Sequence, residues 1–289
     1  MKKKMILSLS ITVAVVAIYF VLHPFAYLFT GKYQPNAHLE IVGHKGASGL
    51  APENTLAAVR MGLEHAVDVI EIDIHMTADN EIVVCHDKTI DRTTTGSGEI
   101  RNLTLEEICN ANIRVGDRMT DLKIPTLQEV ISCVSEYPNV KLLIEFKYGN
   151  KPYPQIEQKV LDLLNANDIK ERAVIQSFRD ETLTAVHNLE PTIKLEKLFF
   201  FKLWGLPLII DNRITYFSPE KYKHISSFNV LYDGLTQRQA SKYRSMGKNL
   251  KVYTLESISF FYKMKGIPQR FDPNITGVIT SRPDMWEKK

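Results

Sequence analysis

The sequence predicts an α/β fold in which parallel strands alternate with helices, and three observations predict it. Nine short apolar segments resemble buried strands, and helical patterns lie between most of them. The chain has 289 residues, which is enough for one β/α barrel of about 250 residues. Because such a barrel has eight strands, one segment is an accessory strand or is misassigned. The segments are 41–43, 69–74, 82–85, 142–146, 173–176, 193–198, 230–232, 251–254 and 277–280.

Helix-start signals support this alternation. Segments 104–107 and 126–129 both begin with Thr and end with Glu, which is the spacing of a capping box. In that motif the Thr hydroxyl and the Glu carboxylate bond to backbone amides that the first helical turn leaves unpaired. Residues 53–66 carry apolar side chains at helical spacing, so we predict a further helix there.

The N-terminus is a different kind of segment. Lysines occupy positions 2–4, and a predominantly apolar run follows from Met5 to Leu22. A run of about 18 apolar residues can cross a bilayer as a helix, and the preceding lysines keep its N-terminus in the cytoplasm. We therefore expect a transmembrane anchor over 1–29, with the rest of the chain on the outer face of the membrane. A cleaved signal peptide is the alternative, and it also places the domain outside the cytoplasm.

The remaining chain divides simply. Residues 30–38 contain Gly, Pro and Asn and are predicted to be a linker, and residues 39–289 are predicted to form the barrel domain. Hydrophobic residues make up 44% of the chain, which is enough for a sizeable core. The formal net charge of +3 is too small to indicate nucleic-acid binding. The three cysteines are widely spaced and odd in number, so we expect buried free thiols rather than disulfides or a zinc site.

Carboxylates on two predicted strands are the first candidates for chemistry. Glu71 and Asp73 are two residues apart, so they project from the same face of one strand. Their mutual repulsion would be relieved by a hard divalent cation with oxygen ligands, Mg²⁺ or Ca²⁺. Glu145 lies near the end of another buried strand. It is either a further metal ligand or the salt-bridge partner of Lys147, and its position alone does not decide between them.

Two histidines follow predicted strands. His44 comes after the first strand and His86 after the third. Active sites of β/α barrels lie at the carboxyl ends of the strands, and imidazole titrates near neutral pH. The pair can therefore supply one proton acceptor and one proton donor.

An ordered series of short motifs resembles the glycerophosphodiester phosphodiesterase family. The resemblance is dense from His38 to Lys147, thinner to Asp284, and covers most of the chain after the apolar run. The motifs are Gly43-His44-Lys45-Gly46, Pro52-Glu53-Asn54-Thr55, Glu71-Ile72-Asp73, His86-Asp87, Asp91-Arg92-Thr93-Thr94, Ile124-Pro125-Thr126-Leu127, Ile144-Glu145-Phe146-Lys147 and the segment 277–284.

This resemblance implies a TIM-type barrel that hydrolyses glycerophosphodiesters to glycerol phosphate and an alcohol. It implies that Glu71, Asp73 and Glu145 hold the divalent metal, and that His44 and His86 act as general base and general acid. Which histidine has which role stays open. In the family the attacking oxygen looks to be the substrate's own glycerol hydroxyl.

Three further residues are candidates for substrate binding. Lys147 offers a cation to the phosphate. Lys45 stands where the family usually has Arg, so it keeps the charge but loses the planar bidentate fork, and looser phosphate binding is expected. Tyr253 stands where the family often has Trp, which preserves an aromatic wall; a plain core role is the alternative.

The segment 198–210 is unusually apolar for a loop at the active-site end. One interpretation is that it receives a lipid chain or dips into the bilayer, and the other is a strand followed by a buried helix. The functional alternatives are accordingly a lysophospholipase D-type activity on lysolipids, a weakened relative that binds phosphodiesters without turnover, and a phospholipase of the phosphoinositide or sphingomyelin type. The motifs at 52–55 and 144–147 argue against the last.

Overall fold

The computed structural model describes residues 39–148, 151–203, 206–232, 235–254 and 274–286. The strands within these ranges are β1 (Glu40–Gly43), β2 (Val69–Met76), β3 (Ile82–Val84), β4 (Arg114–Val115), β5 (Arg118–Met119), β6 (Lys141–Phe146), β7 (Ala173–Ser177), β8 (Lys194–Phe199), β9 (Phe201–Lys202), β10 (Leu208–Ile210), β11 (Ile214–Tyr216), β12 (Ser227–Leu231), β13 (Asn249–Tyr253) and β14 (Gly277–Thr280). The α-helices are α1 (Leu56–Glu64), α2 (Leu105–Asn110), α3 (Leu127–Ser135), α4 (Ile156–Ala166), α5 (Asp180–Leu189) and α6 (Gln237–Ser245).

Eight parallel strands among the described residues close into a barrel. Their order is β1, β2, β6, β7, β8, β12, β13 and β14, and β1 pairs with both β2 and β14. The predicted β/α barrel is therefore confirmed. The supernumerary segment is β3, which pairs antiparallel with the end of β2 and lies outside the barrel ring.

The pleat of β2 separates two environments. Ile70, Ile72 and Ile74 are fully buried and belong to the layer between the barrel and the helices. Each such side chain contributes roughly 1.5–3 kcal/mol by leaving water. Glu71 and Asp73 alternate with them and are also buried, so they face the barrel interior, as the period of two predicts.

Helix starts follow the predicted caps, with one correction. Thr104 and Thr126 form complete capping boxes at α2 and α3. The helix predicted over 53–66 is shorter, because α1 covers only Leu56–Glu64 after its N-cap Thr55. Asn54 and Ala66, on either side of α1, have φ values of 56° and 51°. The backbone at both positions is left-handed and cannot continue a helix.

For the apolar segment 198–210, the interpretation as a strand followed by a buried helix was wrong in its second part, because no helix lies among the segment's described residues. The interpretation as a lipid-contacting segment stays a prediction. After the end of β8, strands β9, β10 and β11 form a separate antiparallel sheet between β8 and β12. Ile209 in the centre of β10 is fully buried, and β-branched residues favour a strand over a helix here. We call the segment 201–216 the insertion.

The predicted anchor over 1–29 and the linker over 30–38 lie outside the described residues. Across the described ranges, none of the helices is long and apolar enough to cross a membrane. The cysteines are free, as predicted, but only Cys85 is buried. Cys133 is half-buried, and the prediction was wrong for Cys109, which lies exposed on the solvent side of α2.

Candidate active site

Three acidic side chains from two adjacent strands meet inside the barrel mouth. Parallel pairing of β2 with β6 places Asp73 directly beside Glu145, while Glu71 lies two residues earlier on β2. All three are buried, and one oxygen from each lies within 4.8 Å of the others. The register between β2 and β6 therefore adds Glu145 to the pair of carboxylates that the sequence predicted on β2.

Glu71 is held from two sides. The Lys45 backbone N–H donates to Oε2 at 2.7 Å, and the Gln176 Nε2 donates to Oε1 at 3.1 Å. Burial, together with the charges of Asp73 and Glu145, raises the pKa of Glu71 well above its usual value. The cluster is therefore short of positive charge at this carboxylate.

Asp73 has the opposite electrostatics. Burial alone would raise its pKa, but the Lys147 ammonium, 2.9 Å from Oδ1, lowers the pKa below its usual range. Asn54 donates from Nδ2 to Oδ2 at 2.8 Å and accepts from the Asp73 backbone N–H at 3.2 Å. Oδ1 is buried and has this ion pair without a well-formed hydrogen bond. It is an acceptor with spare capacity for a cation.

Glu145 shares the same lysine. Lys147 Nζ donates to its Oε1, which confirms the predicted salt bridge. Burial nevertheless raises the pKa of Glu145 to about 7. Three converging carboxylates with one ammonium between them still leave excess negative charge, and hard oxygen donors of this kind fit Mg²⁺ or Ca²⁺. The salt-bridge and metal-ligand interpretations of Glu145 are therefore compatible.

A chain of charged groups stands behind His86. Asp87 Oδ1 lies 2.7 Å from the His86 Nδ1, and Arg92 Nε donates to Asp87 Oδ2 at 2.6 Å. The Arg92 guanidinium also binds Glu53 through two hydrogen bonds, and Glu53 accepts from Lys45 Nζ at 3.1 Å. With Nδ1 engaged, Nε2 is the ring nitrogen of His86 that remains for proton transfer.

Electrostatics around this chain vary from residue to residue. Burial and the nearby Lys147 lower the pKa of His86. The hydrogen bond from Arg92 is the main cause that lowers the pKa of Asp87 to about 2. Burial would raise the pKa of Glu53, but Arg92 and Lys45 together lower it to about 2. Glu53 and Asp87 are therefore charged partners at neutral pH.

The two histidines reach the mouth by different routes. His44 directly follows β1, and its Nδ1 lies 3.1 Å from the Ser281 Oγ, just after β14. His86 follows the third strand, as predicted, but that strand is β3, which lies outside the barrel ring. β3 runs back along β2 until the Cys85 N–H bonds to the Asp73 carbonyl at 2.9 Å. The antiparallel return brings His86 to the level of the carboxylates.

These groups line one open cavity of about 580 Å³. His44, His86, Glu71, Glu145 and Lys147 contribute to its polar side. Its other side is aromatic, with contributions from Phe178, Phe200, Tyr148 and Tyr253. The rings of Phe178 and Phe200 are 5.1 Å apart, and Phe178 meets Tyr253 edge-on at 6.4 Å.

Of the candidate substrate-binding residues, Tyr253 lines this cavity and Lys45 is not among the described residues that do. The Tyr253 hydroxyl donates to the Phe199 carbonyl at 3.2 Å, while the role of Tyr253 in substrate binding stays a prediction. Lys45 has a backbone N–H on Glu71 and an ammonium on Glu53, and it is not among the described residues that line the cavity. Its role in phosphate binding stays a prediction.

Four supporting residues were not assigned a role from the sequence. They are Gln176, Asn54, Glu53 and Arg92. Gln176 has a local signal, because a polar side chain in the middle of an apolar strand needs a partner. Asn54, Glu53 and Arg92 lie in motifs that carried the resemblance, but nothing local indicates which residue each of them contacts.

Comparison with known proteins agrees with this geometry. The glycerophosphoryl diester phosphodiesterase family matches residues 44–285. A glycerophosphodiester phosphodiesterase from Bacillus altitudinis is 33% identical over 86% of this chain and 97% of its own. One from Caldanaerobacter subterraneus subsp. tengcongensis is 37% identical over 55% of this chain and 66% of its own.

A solved structure shows the same fold. An Oleispira antarctica phosphodiesterase, in complex with the product sn-glycerol-3-phosphate, superposes with a TM-score of 0.67 at 22% identity. The match covers 86% of this chain and 96% of that one, which confirms the TIM-type barrel. The family match spans all the predicted metal ligands and both histidines. The chain belongs to the glycerophosphoryl diester phosphodiesterase family and is a phosphoric diester hydrolase.

Proposed function

We propose that the chain hydrolyses glycerophosphodiesters to glycerol phosphate and an alcohol, with a divalent metal and two histidines, on the outer face of a membrane. The observation that carries the proposal is the buried carboxylate cluster, two of whose members, Glu71 and Glu145, line one cavity with His44 and His86. The named relatives act as glycerophosphodiester phosphodiesterases and do not favour the lysophospholipase D alternative.

Glu71, Asp73 and Glu145 would hold the metal. A bound divalent cation supplies Lewis-acid polarisation of a phosphoryl oxygen and offsets the charge that develops there. Hydrogen bonds from the chain itself orient two of these carboxylates. The Lys45 N–H and Gln176 Nε2 donate to Glu71, and Asn54 Nδ2 donates to Asp73. Holding ligands in advance lowers the reorganisation that binding requires.

His44 and His86 move the protons. One imidazole takes the proton of the attacking glycerol hydroxyl, and the other donates a proton to the leaving alkoxide as its bond to phosphorus breaks, which gives the free alcohol and a cyclic glycerol phosphate. Water then attacks the cyclic phosphate with the proton roles of the two imidazoles reversed, and the ring P–O bond breaks to give glycerol phosphate. The Asp87 carboxylate orients the His86 ring through Nδ1 and favours its charged form. Lys147, which lines the same cavity, would offer a positive charge to the phosphate.

The membrane location rests on the sequence. The apolar run from Met5 to Leu22 and the lysines before it support an anchor with the barrel outside the cytoplasm. Protease accessibility of the barrel in intact cells tests this part by itself. Digestion only after lysis would contradict it.

Release of glycerol phosphate tests the activity. Full-length protein is incubated with a glycerophosphodiester and either Mg²⁺ or Ca²⁺, with and without a chelator, and the glycerol phosphate is quantified enzymatically. We expect release with at least one metal and its loss with chelator. No release with either metal, by protein whose circular dichroism shows a folded barrel, would sink the activity.

Lys45→Arg sharpens the same assay. Arginine restores the bidentate fork that phosphate prefers, but the Lys45 ammonium already serves Glu53. If Lys45 reaches the substrate, the arginine variant should lower KM. An unchanged KM would assign Lys45 to the support of Glu53 and Glu71 alone.

A further inference from the structure

A second groove lies beside the active-site end of the barrel. Its volume is about 650 Å³, and it runs between the insertion and the start of α6. The two walls are joined, because Gln239 Nε2 donates to the Lys202 carbonyl at 2.9 Å. We call it the α6 groove.

The α6 groove carries an unbalanced positive charge. Lys202, Arg238 and Lys242 line it, and no carboxylate is among the described residues that do. Arg238 and Lys242 are one helical turn apart, where like charges repel. Within the described ranges, none of the three makes an ion pair; Lys202 Nζ instead donates to the Leu203 and Leu206 carbonyls. Burial and then the charge of Lys242 lower the pKa of Lys202.

Apolar side chains project around the same groove. Leu206 and Tyr216 line it and are 51% and 59% exposed, and Ile214, two residues before Tyr216 on β11, is 71% exposed. We call these three the apolar rim. Isolated exposed apolar residues are ordinary, but Leu206 just before β10 and Ile214 and Tyr216 on β11, beside three cations, form a combined apolar and basic face.

The insertion, together with Phe200 directly before it, connects this face to the cavity that His44 and His86 line. Phe200 lines the cavity, and Lys202, two residues later, lines the α6 groove. Asn212 also lines the cavity, and Ile214 follows it on the exposed side. A surface that contacts the apolar rim would therefore lie next to the cavity opening.

We propose that the α6 groove and the apolar rim dock onto a bilayer that contains anionic phospholipids. Basic side chains attract the negative headgroups, and Leu, Ile and Tyr enter the interfacial region. An acidic protein would satisfy the cations but would leave the apolar rim without an equivalent partner. The proposal extends the membrane location proposed above and does not depend on turnover.

A site-specific fluorescent probe tests the docking. Full-length protein with Cys109→Ser and Cys133→Ser retains only the buried Cys85, and Ile214→Cys then receives an environment-sensitive fluorophore. The protein is added to vesicles of phosphatidylcholine with or without phosphatidylglycerol, and lipid-borne quenchers report insertion. Met119→Cys is the matched control, since Met119 is 69% exposed on the β4–β5 hairpin.

We expect a blue shift and quenching at position 214, but not at 119, in vesicles with phosphatidylglycerol. Combining Arg238→Gln and Lys242→Gln should lower the ratio of docked to undocked protein about 30-fold. Lys123→Gln with Lys194→Gln, two exposed lysines elsewhere, should leave it unchanged.

Three results would overturn the proposal. The first is equal quenching at positions 214 and 119. The second is quenching at 214 that is the same with and without phosphatidylglycerol. The third is a probe response to soluble polyglutamate but not to vesicles, which would assign the face to an acidic protein. Loss of the membrane anchor alone would instead lower vesicle binding for all variants and leave the difference between 214 and 119 intact.

Discussion

The two sides of the barrel mouth differ in how their charges are arranged. On the side of β1, β2 and β6, acidic and basic groups are buried and connected, and Lys147 contacts both Asp73 and Glu145. On the side of the insertion, Lys202 and Lys242 face a groove without an acidic partner among the described residues. The first arrangement suits chemistry, which needs fixed distances, and the second suits contact with a surface, which needs charge and exposed apolar area.

The two sides of the barrel mouth also differ in the structural elements that carry their residues. The three clustered carboxylates stand on barrel strands, whose register fixes their separation. The apolar rim belongs to the segment between β8 and β12, with Ile214 and Tyr216 on strand β11 of the small sheet and Leu206 just before β10. We therefore expect substitutions on the first side to lower turnover of any diester, and substitutions on the second side to leave turnover of a soluble diester intact.

Removing one carboxylate should have the largest effect. Glu71→Gln should lower kcat/KM about 1,000-fold or more, because it weakens the polarisation of the phosphoryl oxygen. Glu71 has a strongly raised pKa, so its charge destabilises the metal-free fold. The thermal midpoint of metal-free Glu71→Gln should therefore not fall below that of the wild type. Asp117→Asn, at an exposed position, is the control. Wild-type turnover by Glu71→Gln would contradict the proposal that Glu71 holds the metal.

A pH dependence of stability should follow from Glu145. Its folded pKa of about 7 lies above the usual value, so the wild type has its full contribution at low pH and loses it as pH rises through about 7. In metal-free protein this loss should reach about 3 kcal/mol at most and be absent in Glu145→Gln. Urea unfolding at intervals between pH 4.5, the usual pKa of a glutamate, and pH 7 measures the loss, with Glu64→Gln at an exposed position as the control. Parallel curves for wild type and Glu145→Gln would contradict the prediction.

Arg92 should matter through its partners. Arg92→Ala releases Asp87 behind His86 and Glu53 behind Lys45, so kcat should fall roughly 10- to 100-fold, as for other groups that orient catalytic residues. Metal affinity measured by calorimetry should stay unchanged. Arg92→Lys should recover part of the loss, and Arg118→Ala, at an exposed arginine, should have no effect. A raised KM with unchanged kcat would mean that Arg92 binds substrate directly.

The smallest effect is expected on the insertion side. Ile214→Ser with Tyr216→Ser changes exposed side chains only, so kcat/KM for a water-soluble glycerophosphodiester should change less than about twofold. The same assay with Phe200→Ser, which alters the cavity wall, should show a larger loss. Equal losses of kcat/KM for both variants would mean that the apolar rim contacts the soluble substrate, and would contradict the separation of the two sides.

Several features were predictable because their signals are local. The Thr104 and Thr126 caps depend on residues three positions away, and both helices begin where predicted. The orientation of Glu71 and Asp73 follows from the pleat of a single strand. The extent of α1 was less predictable, because it depends on left-handed backbone at Asn54 and Ala66 rather than on the apolar pattern.

Local patterns in the chain were enough to predict the alternation of strands and helices, the shared face of Glu71 and Asp73, and the family that the ordered motifs indicate. The folded barrel was needed to show that β3 is the accessory strand, that Lys147 contacts two carboxylates, and that β9, β10 and β11 form a sheet. The reason is chain distance: Gln176 bonds to Glu71 across 105 residues and Arg92 to Glu53 across 39. Such contacts depend on barrel closure and strand register, which no local pattern encodes.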